Sequence, residues 1–187
     1  MNTKTKKLST VSMVLCGMFA ALVAIGAFIQ IPVPYMDYFT LQFFFVLLAG
    51  LILGADKGAI SVGCYVLLGL VGVPIFAAGG GIGYIFRPSF GYLVGFIVSA
   101  YVTGKVCETL KASYKNYLLA CLAGFVVTYA IGIVYKFIIL NFYAHTPATL
   151  GVIFLSCFPL DMPGDFVLCL LAAGVGLRMR KSGFYLS

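Results

Sequence analysis

The sequence predicts an all-α, polytopic membrane protein with six transmembrane helices, and composition is the first observation behind this prediction. Of the 187 residues, 63% are hydrophobic and only 9% are charged, with a mean hydropathy of +1.11. A soluble domain is about a quarter charged, so lipid is the expected solvent for most of this surface. A spanning helix needs about 20 mostly apolar residues, which leaves room for roughly six. We expect a single membrane domain over residues 1–187.

The distribution of basic residues is the second observation, and it orients the predicted helices. Lys and Arg gather in cytoplasmic loops, and here most of them fall on one alternating set of boundaries between apolar runs. That set comprises Lys4, Lys6, Lys7, Lys57, Lys105, Lys111, Lys115, Arg178, Arg180 and Lys181. We therefore expect both termini to be cytoplasmic. Arg87 and Lys136 fall on the opposite set, which makes them the first candidates for a function.

The apolar runs define the expected helices. These fall at about residues 9–30, 41–53, 59–73, 89–109, 117–140 and 166–177. Residues 74–88 are rich in glycine and proline, which is incompatible with a continuous helix. We expect this segment to lie outside or to dip into the outer half of the bundle. Residues 148–158 form an apolar run too short to span, and are expected to be an outer half-helix or a re-entrant segment.

Composition and motifs disfavour several functional classes. The net charge of +7 is spread over cytoplasmic edges rather than gathered on one soluble face, so nucleic acid is not an expected partner. The cysteines stand singly inside apolar runs and the chain has one histidine, so no metal or redox centre is expected. The phosphate-binding motif G-x-x-x-x-G-K-S/T does not occur. Energy for uptake would therefore come from partners or an ion gradient, and no cofactor is expected.

Five charged residues map to the outer side of the predicted helices and form the candidate site. They are Asp37, Arg87, Lys136, Asp161 and Asp165. Ionisable residues are costly in a bilayer, so a charge at membrane depth indicates a function. All five come from outer loops or outer helix ends, and we expect them to converge on one cavity.

Arg87 ends the glycine-rich segment and is a candidate for binding an anion. A guanidinium can bind a carboxylate through two parallel hydrogen bonds. Gly79, Gly80 and Gly81 precede it, and glycines let a ligand approach the backbone closely. The alternative is an arginine that only extends its side chain to the membrane interface.

Lys136 and two carboxylates complete the charge pattern. Lys136 shares a helix face with Tyr129 at the spacing i, i+7, whereas Asp161 and Asp165 stand beside prolines before the last helix. A carboxylate only accepts hydrogen bonds, and therefore suits a ligand with N–H groups. The residues leave two alternatives open: a lysine paired with one of these acids for structure, and an Asp165 that caps the helix.

Aromatic residues are expected to contact the apolar body of the ligand. They are Phe76, Tyr84, Phe86, Tyr92 and Tyr129. Together with the charges, they suit an elongated small molecule that has a carboxylate tail at one end and a polar ring at the other.

Small residues in the first helix indicate a surface for docking another helix. Ala20 and Ala24 are four residues apart and share a face. Small residues at this spacing let helices approach closely in lipid. Packing within the bundle is the alternative that this pattern leaves open.

Three stretches of the chain carry a resemblance to a known family. They read FTLQFFFVLLAGLILGADKGAISVGCYVLLGLVGVPIFA, then GGGIGYIFRPSFGYLVGF, then FPLDMPGD before the last helix. In this order and spacing, the chain resembles the BioY family, the biotin-specific substrate-capture (S) components of energy-coupling-factor (ECF) vitamin transporters. The resemblance runs over nearly the whole chain.

The resemblance implies a six-helix protein that binds biotin near the outer face. It implies partners as well, namely a transmembrane coupling protein and two cytoplasmic ATPases. Ala20 and Ala24 map to the alanine motif that meets the coupling protein in this family. The loop from Pro32 to Gln42 maps to the segment that covers the ligand.

Biotin also matches the charges read from the sequence. Its carboxylate suits Arg87 or Lys136, and its ureido N–H groups suit Asp165. Leu168 stands where the family often has a lysine, so Lys136 is expected to supply that cation from another helix.

The expected function is that of a non-enzymatic, high-affinity biotin-binding subunit of an ATP-driven uptake transporter, in a bacterial cell membrane. The residues leave two other classes open. One is a self-sufficient secondary transporter, or an S component, for another small organic anion or vitamin. The other is an intramembrane enzyme such as an aspartyl protease, which would use two Asp residues but place them on facing helices.

Overall fold

The structure, a computed structural model, describes residues 9–32, 38–144, 146, 148–157 and 161–183. Within these residues the chain forms seven α-helices. They are α1 (Thr10–Phe28), α2 (Gln42–Leu53), α3 (Ala55–Leu70), α4 (Phe90–Thr109), α5 (Tyr114–Ile138), α6 (Leu150–Cys157) and α7 (Asp161–Lys181). The glycine-rich segment contains a short 3₁₀ helix, Ile82–Phe86, and a π-helical turn, Ile139–Tyr143, continues α5.

Two helices begin about a turn earlier than the sequence predicts. α3 begins at Ala55 rather than near residue 59, because Gly54 alone makes the turn from α2 with a φ of 83°. Only glycine enters this region of backbone conformation easily. α7 begins at Asp161 rather than near residue 166. Pro163 is accommodated in its first turn, where a backbone N–H has no partner within the helix.

A two-stranded sheet is a small addition to the helical fold that the sequence did not predict. β1 (Gln30–Pro32) pairs antiparallel with β2 (Tyr38–Thr40), and Ile31 lies opposite Phe39. Ile31 precedes a proline, and this position favours extended backbone, so a strand forms here rather than a further turn of α1. The backbone N–H of Leu41 then donates to carbonyl groups near the end of α1 at 3.1 Å. These bonds hold the start of α2 next to the end of α1.

The central helix of the bundle is α2. Ten of its twelve residues are buried, and it packs against α1, α3, α4 and α7. Phe43, Leu47 and Leu51 are at most 1% exposed. A helix that is apolar on all sides belongs in an interior, so the other helices surround α2 and its first turn points toward the candidate site.

The most extensive helix pair is formed by α4 and α5. Small residues line their seam: Gly95 lies against the backbone of Thr128, and Gly124 lies against the hydroxyl groups of Ser99 and Thr103. Small residues allow such close approach of helices in lipid. The seam thereby fixes the first turns of α4 relative to the last turns of α5, where several candidate residues lie.

The two ends of the bundle differ in charge. At the end that we call the cavity end, α2, α4 and α7 begin and α5 finishes. At the opposite end, the basic end, α3 and α5 begin and α4 and α7 finish. The basic end carries Lys57, Lys105, Lys111, Lys115, Arg178, Arg180 and Lys181. Arg87 and Lys136 belong to the cavity end.

Four helices in the described part of the chain are long and apolar enough to cross a membrane. They are α1, α4, α5 with its π-helical continuation, and α7. α2 is apolar but shorter. The prediction of a predominantly helical protein with several membrane-spanning helices is confirmed at this level.

Candidate functional site

A cavity opens at the cavity end, between the hairpin and the ends of four helices. The volume of the cavity that the centre of a water molecule can occupy is about 100 Å³. By the same measure, roughly 10–15 Å³ is enough to hold one water molecule. A small organic molecule therefore fits. The lining residues are Phe39, Thr40, Gln42, Phe43, Ala77, Ala78, Tyr84, Ser89, Tyr92, Leu93, Phe96, Tyr129, Lys136, Asp161 and Asp165.

Two carboxylates enter the cavity from the first two turns of α7. Asp165 accepts a hydrogen bond from the hydroxyl of Tyr129 on α5 at 2.8 Å, and Asp161 lines the cavity one turn earlier. The positive end of a helix dipole favours an anion in the first turn, where Asp161 lies. Gly164 gives the hairpin room, because a Cβ there would lie 2.5 Å from the ring of Phe39. The hairpin therefore packs directly beside Asp165.

Lys136 is the cation among the lining residues. It is half-buried near the end of α5, and its Nζ lies 3.5 Å from Ser156 Oγ on α6. That distance is at the long limit for a hydrogen bond, and Ser156 itself donates to the carbonyl of Ile153 at 2.6 Å. The ammonium group thus keeps donors for a ligand, since it has three N–H bonds.

Aromatic rings form the wall between the two charged groups. The rings of Tyr92 and Tyr129 meet edge to face with centroids 5.9 Å apart, and Phe125 supports Tyr129 at 4.7 Å. The Tyr92 hydroxyl lies 3.1 Å from Cys157 Sγ at the end of α6, and its ring lies against Gly132. This wall offers apolar faces to a ligand while its hydroxyl groups are engaged with protein atoms.

Gln42 opens α2 and joins a buried chain of hydrogen bonds. Thr40 Oγ1 donates to Gln42 Oε1 at 3.2 Å, and Gln42 Nε2 donates to Tyr65 Oη at 2.5 Å. The Tyr65 hydroxyl then donates to the carbonyl oxygen of Ile75 at 3.1 Å. These hydrogen bonds connect the hairpin, α2, α3 and the glycine-rich segment, and therefore join two walls of the cavity.

Seven residues predicted from the sequence line the cavity together. They are Gln42, Tyr84, Tyr92, Tyr129, Lys136, Asp161 and Asp165. Asp37 was predicted to join them, but residues 33–37 lie outside the part that the structure describes, as does most of the loop predicted to cover the ligand. A role for these seven side chains in binding stays a prediction.

Arg87 is not among the lining residues. It is exposed, and its guanidinium carbon lies 5.4 Å from the centre of the Tyr84 ring. Tyr84 itself lines the cavity. Arg87 is thus one side chain away from the cavity, and contact with a ligand stays a prediction.

Other predicted residues support the wall without lining it. Phe76 is 1% exposed and packs against Tyr65 and Tyr84, with ring centroids 5.5 and 4.6 Å away. Gly79 and Gly81 adopt φ values of 111° and 101°, which shape the segment so that the neighbouring alanines face the cavity. Gly80 lies directly against the carbonyl of Val73.

Several lining residues are not singled out by the sequence. Phe39, Phe43, Leu93 and Phe96 are apolar residues of the hairpin, α2 and α4, and nothing in their pattern separates them from core residues. Ala77 and Ala78 line the cavity through backbone shape alone. Ser89 precedes the first residue of α4, and a serine at this position predicts a helix start rather than a ligand contact. Its side chain makes no capping hydrogen bond.

The small residues of α1 divide between the core and the surface. Ala20 is 7% exposed and packs in the core, and Ala24 is half-buried. Gly17 and Ala21 are exposed, and nothing would lie within 4 Å of a Cβ on Gly17. Docking at Ala20 and Ala24 stays a prediction. The small residues that are exposed on this helix are Gly17 and Ala21, which have the same spacing of four residues.

The sequence matches the model of a known protein family over most of its length. The model of the BioY family matches residues 1–183. The chain belongs to the BioY family. This BioY chain is 40% identical over 177 residues to a Lysinibacillus sphaericus protein named probable biotin transporter BioY, with 94% of this chain and 90% of that protein covered. It is 38% identical over 169 residues to the biotin transporter BioY of Thermotoga maritima, covering 88% and 93%.

The BioY chain also matches a solved structure over nearly its full length. That structure is titled as the S-component for biotin from an ECF-type ABC transporter. The TM-score is 0.81 at 25% identity, and 99% of this chain and 97% of that chain are covered. The family and its transporter relatives, with the apolar helices, make this BioY chain a multi-pass membrane protein.

Proposed function

We propose that this BioY chain is the biotin-binding S component of an ECF-type, ATP-driven uptake transporter, and that it is not an enzyme. The observation that carries the proposal is a single cavity lined by one ammonium group, two carboxylates and several aromatic rings. The match to a biotin S-component over 99% of the chain supports the same conclusion.

The ligand chemistry follows from the two charged ends of the cavity. The carboxylate of biotin is placed at Lys136, with Arg87 behind Tyr84 as the next cation. The ureido N–H groups are placed at the acceptors Asp165 and Asp161, because a carboxylate only accepts hydrogen bonds. The ring system lies on the rings of Tyr92 and Tyr129, which supply apolar contact area.

The proposed topology has six membrane crossings within one domain, residues 1–187. The crossings are α1, α2 together with the strand β2 before it, α3, α4, α5 and α7. α6, with eight residues, packs against α5 without crossing. The basic end faces the cytoplasm, because Lys and Arg gather there. Both termini are then cytoplasmic and the cavity opens outward.

Energy for uptake is proposed to come from partners, a coupling protein and two ATPases, because the chain has no ATP-binding motif. The docking face on α1 is proposed to include Gly17, Ala21 and Ala24. Ala21→Trp should spare biotin binding and abolish uptake, because it fills an exposed notch that a partner helix needs. Val126→Trp is the matched control, since Val126 is a 63% exposed residue of α5. Uptake that survives Ala21→Trp would place the docking face elsewhere.

The experiment that tests the proposed ligand is calorimetric titration of the detergent-purified protein with biotin, using thiamine and riboflavin as controls. Tight one-to-one binding of biotin is expected. Heat from another vitamin but not from biotin would overturn the ligand and keep the architecture. Uptake without partner proteins that an uncoupler abolishes would favour a secondary transporter.

A further inference from the structure

The side chain of Tyr65 does not line the cavity, yet its hydroxyl connects two walls of it. Tyr65 is fully buried in α3. Its oxygen accepts from Gln42 Nε2 at 2.5 Å and donates to the carbonyl oxygen of Ile75 at 3.1 Å. Gln42 begins α2, and Ile75 lies near the start of the glycine-rich segment whose alanines line the cavity.

The chemistry of these groups fixes the direction in which the hydrogen bonds run from donor to acceptor. A backbone carbonyl only accepts hydrogen bonds, so the single proton of the Tyr65 hydroxyl is used on Ile75. The Tyr65 oxygen therefore accepts from Gln42, and only the NH₂ end of an amide can donate. The carbonyl end of Gln42 is thereby turned away from Tyr65 and toward Thr40.

Thr40 cannot set this orientation by itself. A hydroxyl group donates and accepts equally well, so it would satisfy either end of the Gln42 amide. Thr40 and Gln42 both line the cavity. An amide oxygen has two lone pairs, and the bond from Thr40 at 3.2 Å uses one of them. The second is available to a ligand.

We propose that Tyr65 is a positioning residue that holds Gln42 as a hydrogen-bond acceptor in the cavity, and so selects ligands that present an N–H group there. The inference rests on the proposed function, in which biotin is the ligand. Its ureido ring has two N–H donors, and these need acceptors from more than one direction. Asp165 on α7 and Gln42 on α2 supply acceptors from two different elements.

The proposed role of Tyr65 in orienting Gln42 can be distinguished from a role in packing alone. If Tyr65 only supported the wall, removing its hydroxyl would weaken all ligands of this shape equally. If it orients Gln42, the loss lets the amide rotate and offer its NH₂ group to the cavity. The protein would then lose preference for an N–H ligand over an analogue that places an acceptor at the same position.

The test compares biotin with its two cyclic carbamate analogues, in each of which one ureido N–H is replaced by oxygen. The wild-type protein should prefer biotin over at least one of them. Tyr65→Phe should reduce that preference about fivefold, the equivalent of one ordinary hydrogen bond. Tyr117→Phe is the matched control, because Tyr117 is equally buried and hydrogen-bonded at the basic end. It should leave the preference unchanged.

Rescue gives a second measurement. Adding Gln42→Glu to Tyr65→Phe should restore the preference, because a carboxylate has acceptors in either orientation. Should Tyr65→Phe fail to fold, single variants test the acceptor on which the inference depends. Gln42→Glu must keep the preference and Gln42→Met must lose it, and either opposite result overturns the inference.

Three results overturn the inference while leaving biotin binding intact. They are a wild-type protein with no preference, a Tyr65→Phe protein with unchanged preference even at lower affinity, and a double variant without rescue. A wild-type protein that does not bind biotin would instead overturn the proposed function.

Discussion

Helices α5 and α7 meet at both ends of the bundle through a tyrosine and a charged residue, and the two pairs have different surroundings. At the cavity end, Tyr129 donates to Asp165 at 2.8 Å. At the basic end, Arg180 donates to the hydroxyl of Tyr117 at 3.1 Å. The dipole of α7 favours a cation in its last turn, where Arg180 lies, so Arg180 suits its position for a structural reason. Asp165 lies in the second turn of α7, beyond the turn in which the dipole acts most strongly.

The residues around each pair indicate which pair belongs to the candidate site and which is a structural contact. Tyr117 is fully buried and is not among the residues that line the cavity. At the same end, Glu108 accepts from the backbone N–H of Ala55 at 2.8 Å and lies 3.8 Å from Lys105. These groups satisfy one another. At the cavity end the charged groups also face open space, and this position, rather than charge itself, is what indicates a ligand.

The largest effect is expected at Asp165. Asp165→Asn keeps the size of the side chain but removes the charge that strengthens hydrogen bonds from ligand N–H groups. Biotin binding should weaken by about 2–3 kcal/mol, roughly 30- to 150-fold in Kd by calorimetry. Asp56→Asn makes the same change at the start of α3, at the basic end, and should leave Kd unchanged. An unchanged Kd for a folded Asp165→Asn protein would remove this carboxylate from the site.

A somewhat smaller effect is expected at Lys136. Lys136→Met removes the ammonium group and should weaken biotin binding by about 1.5–2 kcal/mol. The loss should largely vanish when biotin amide, which has no carboxylate, replaces biotin in the titration. Lys105→Met at the basic end serves as the control. An equal loss for biotin and its amide would show that Lys136 does not bind the carboxylate.

The tyrosines sharpen the comparison of the two ends directly. Tyr117→Phe should lower the free energy of unfolding by about 1 kcal/mol, the contribution of a typical hydrogen bond, and leave the Kd for biotin unchanged. Tyr129→Phe should instead change Kd, because its hydroxyl holds Asp165 in place. Thermal unfolding in detergent and calorimetry on both variants measure the two quantities. A change in Kd for Tyr117→Phe would break the distinction between the ends.

The smallest effect is expected at Arg87. Its guanidinium lies over the ring of Tyr84, and such an exposed cation–π contact contributes about 0.5–1 kcal/mol. Arg87→Ala should weaken biotin binding by no more than this, through Tyr84. A loss of about 1.5–3 kcal/mol would instead show a charge-assisted hydrogen bond to the ligand, as the sequence alone predicts.

The sequence predicted much of the polar lining of the cavity, because charges are rare in this chain. Lys136, Asp161 and Asp165 stand out against apolar runs, and the helix ends at which they lie follow from those runs. Tyr129 follows from its spacing to Lys136 on one helix. Each of these predictions depends only on local periodicity and on the cost of charge in lipid.

The remaining lining residues depend on how distant segments approach one another. Phe39 packs against Gly164, the residue before Asp165, only because Gly164 lacks a Cβ and because an unpredicted hairpin forms. Phe76 was predicted from its aromatic character, but its ring packs behind Tyr84. Whether an apolar side chain of such a segment faces a cavity or the core is decided by tertiary packing, which sequence periodicity does not encode.

The shortness of α2 has a consequence for the depth at which a ligand lies. With twelve residues and a rise of 1.5 Å per residue, α2 is about 18 Å long, whereas the hydrocarbon layer is roughly 30 Å thick. If α2 ends near the cytoplasmic face of the hydrocarbon layer, its first turn lies about 12 Å below the outer edge of that layer. The floor of the cavity is then surrounded by a medium of low dielectric constant, in which an ionic contact is stronger than in water.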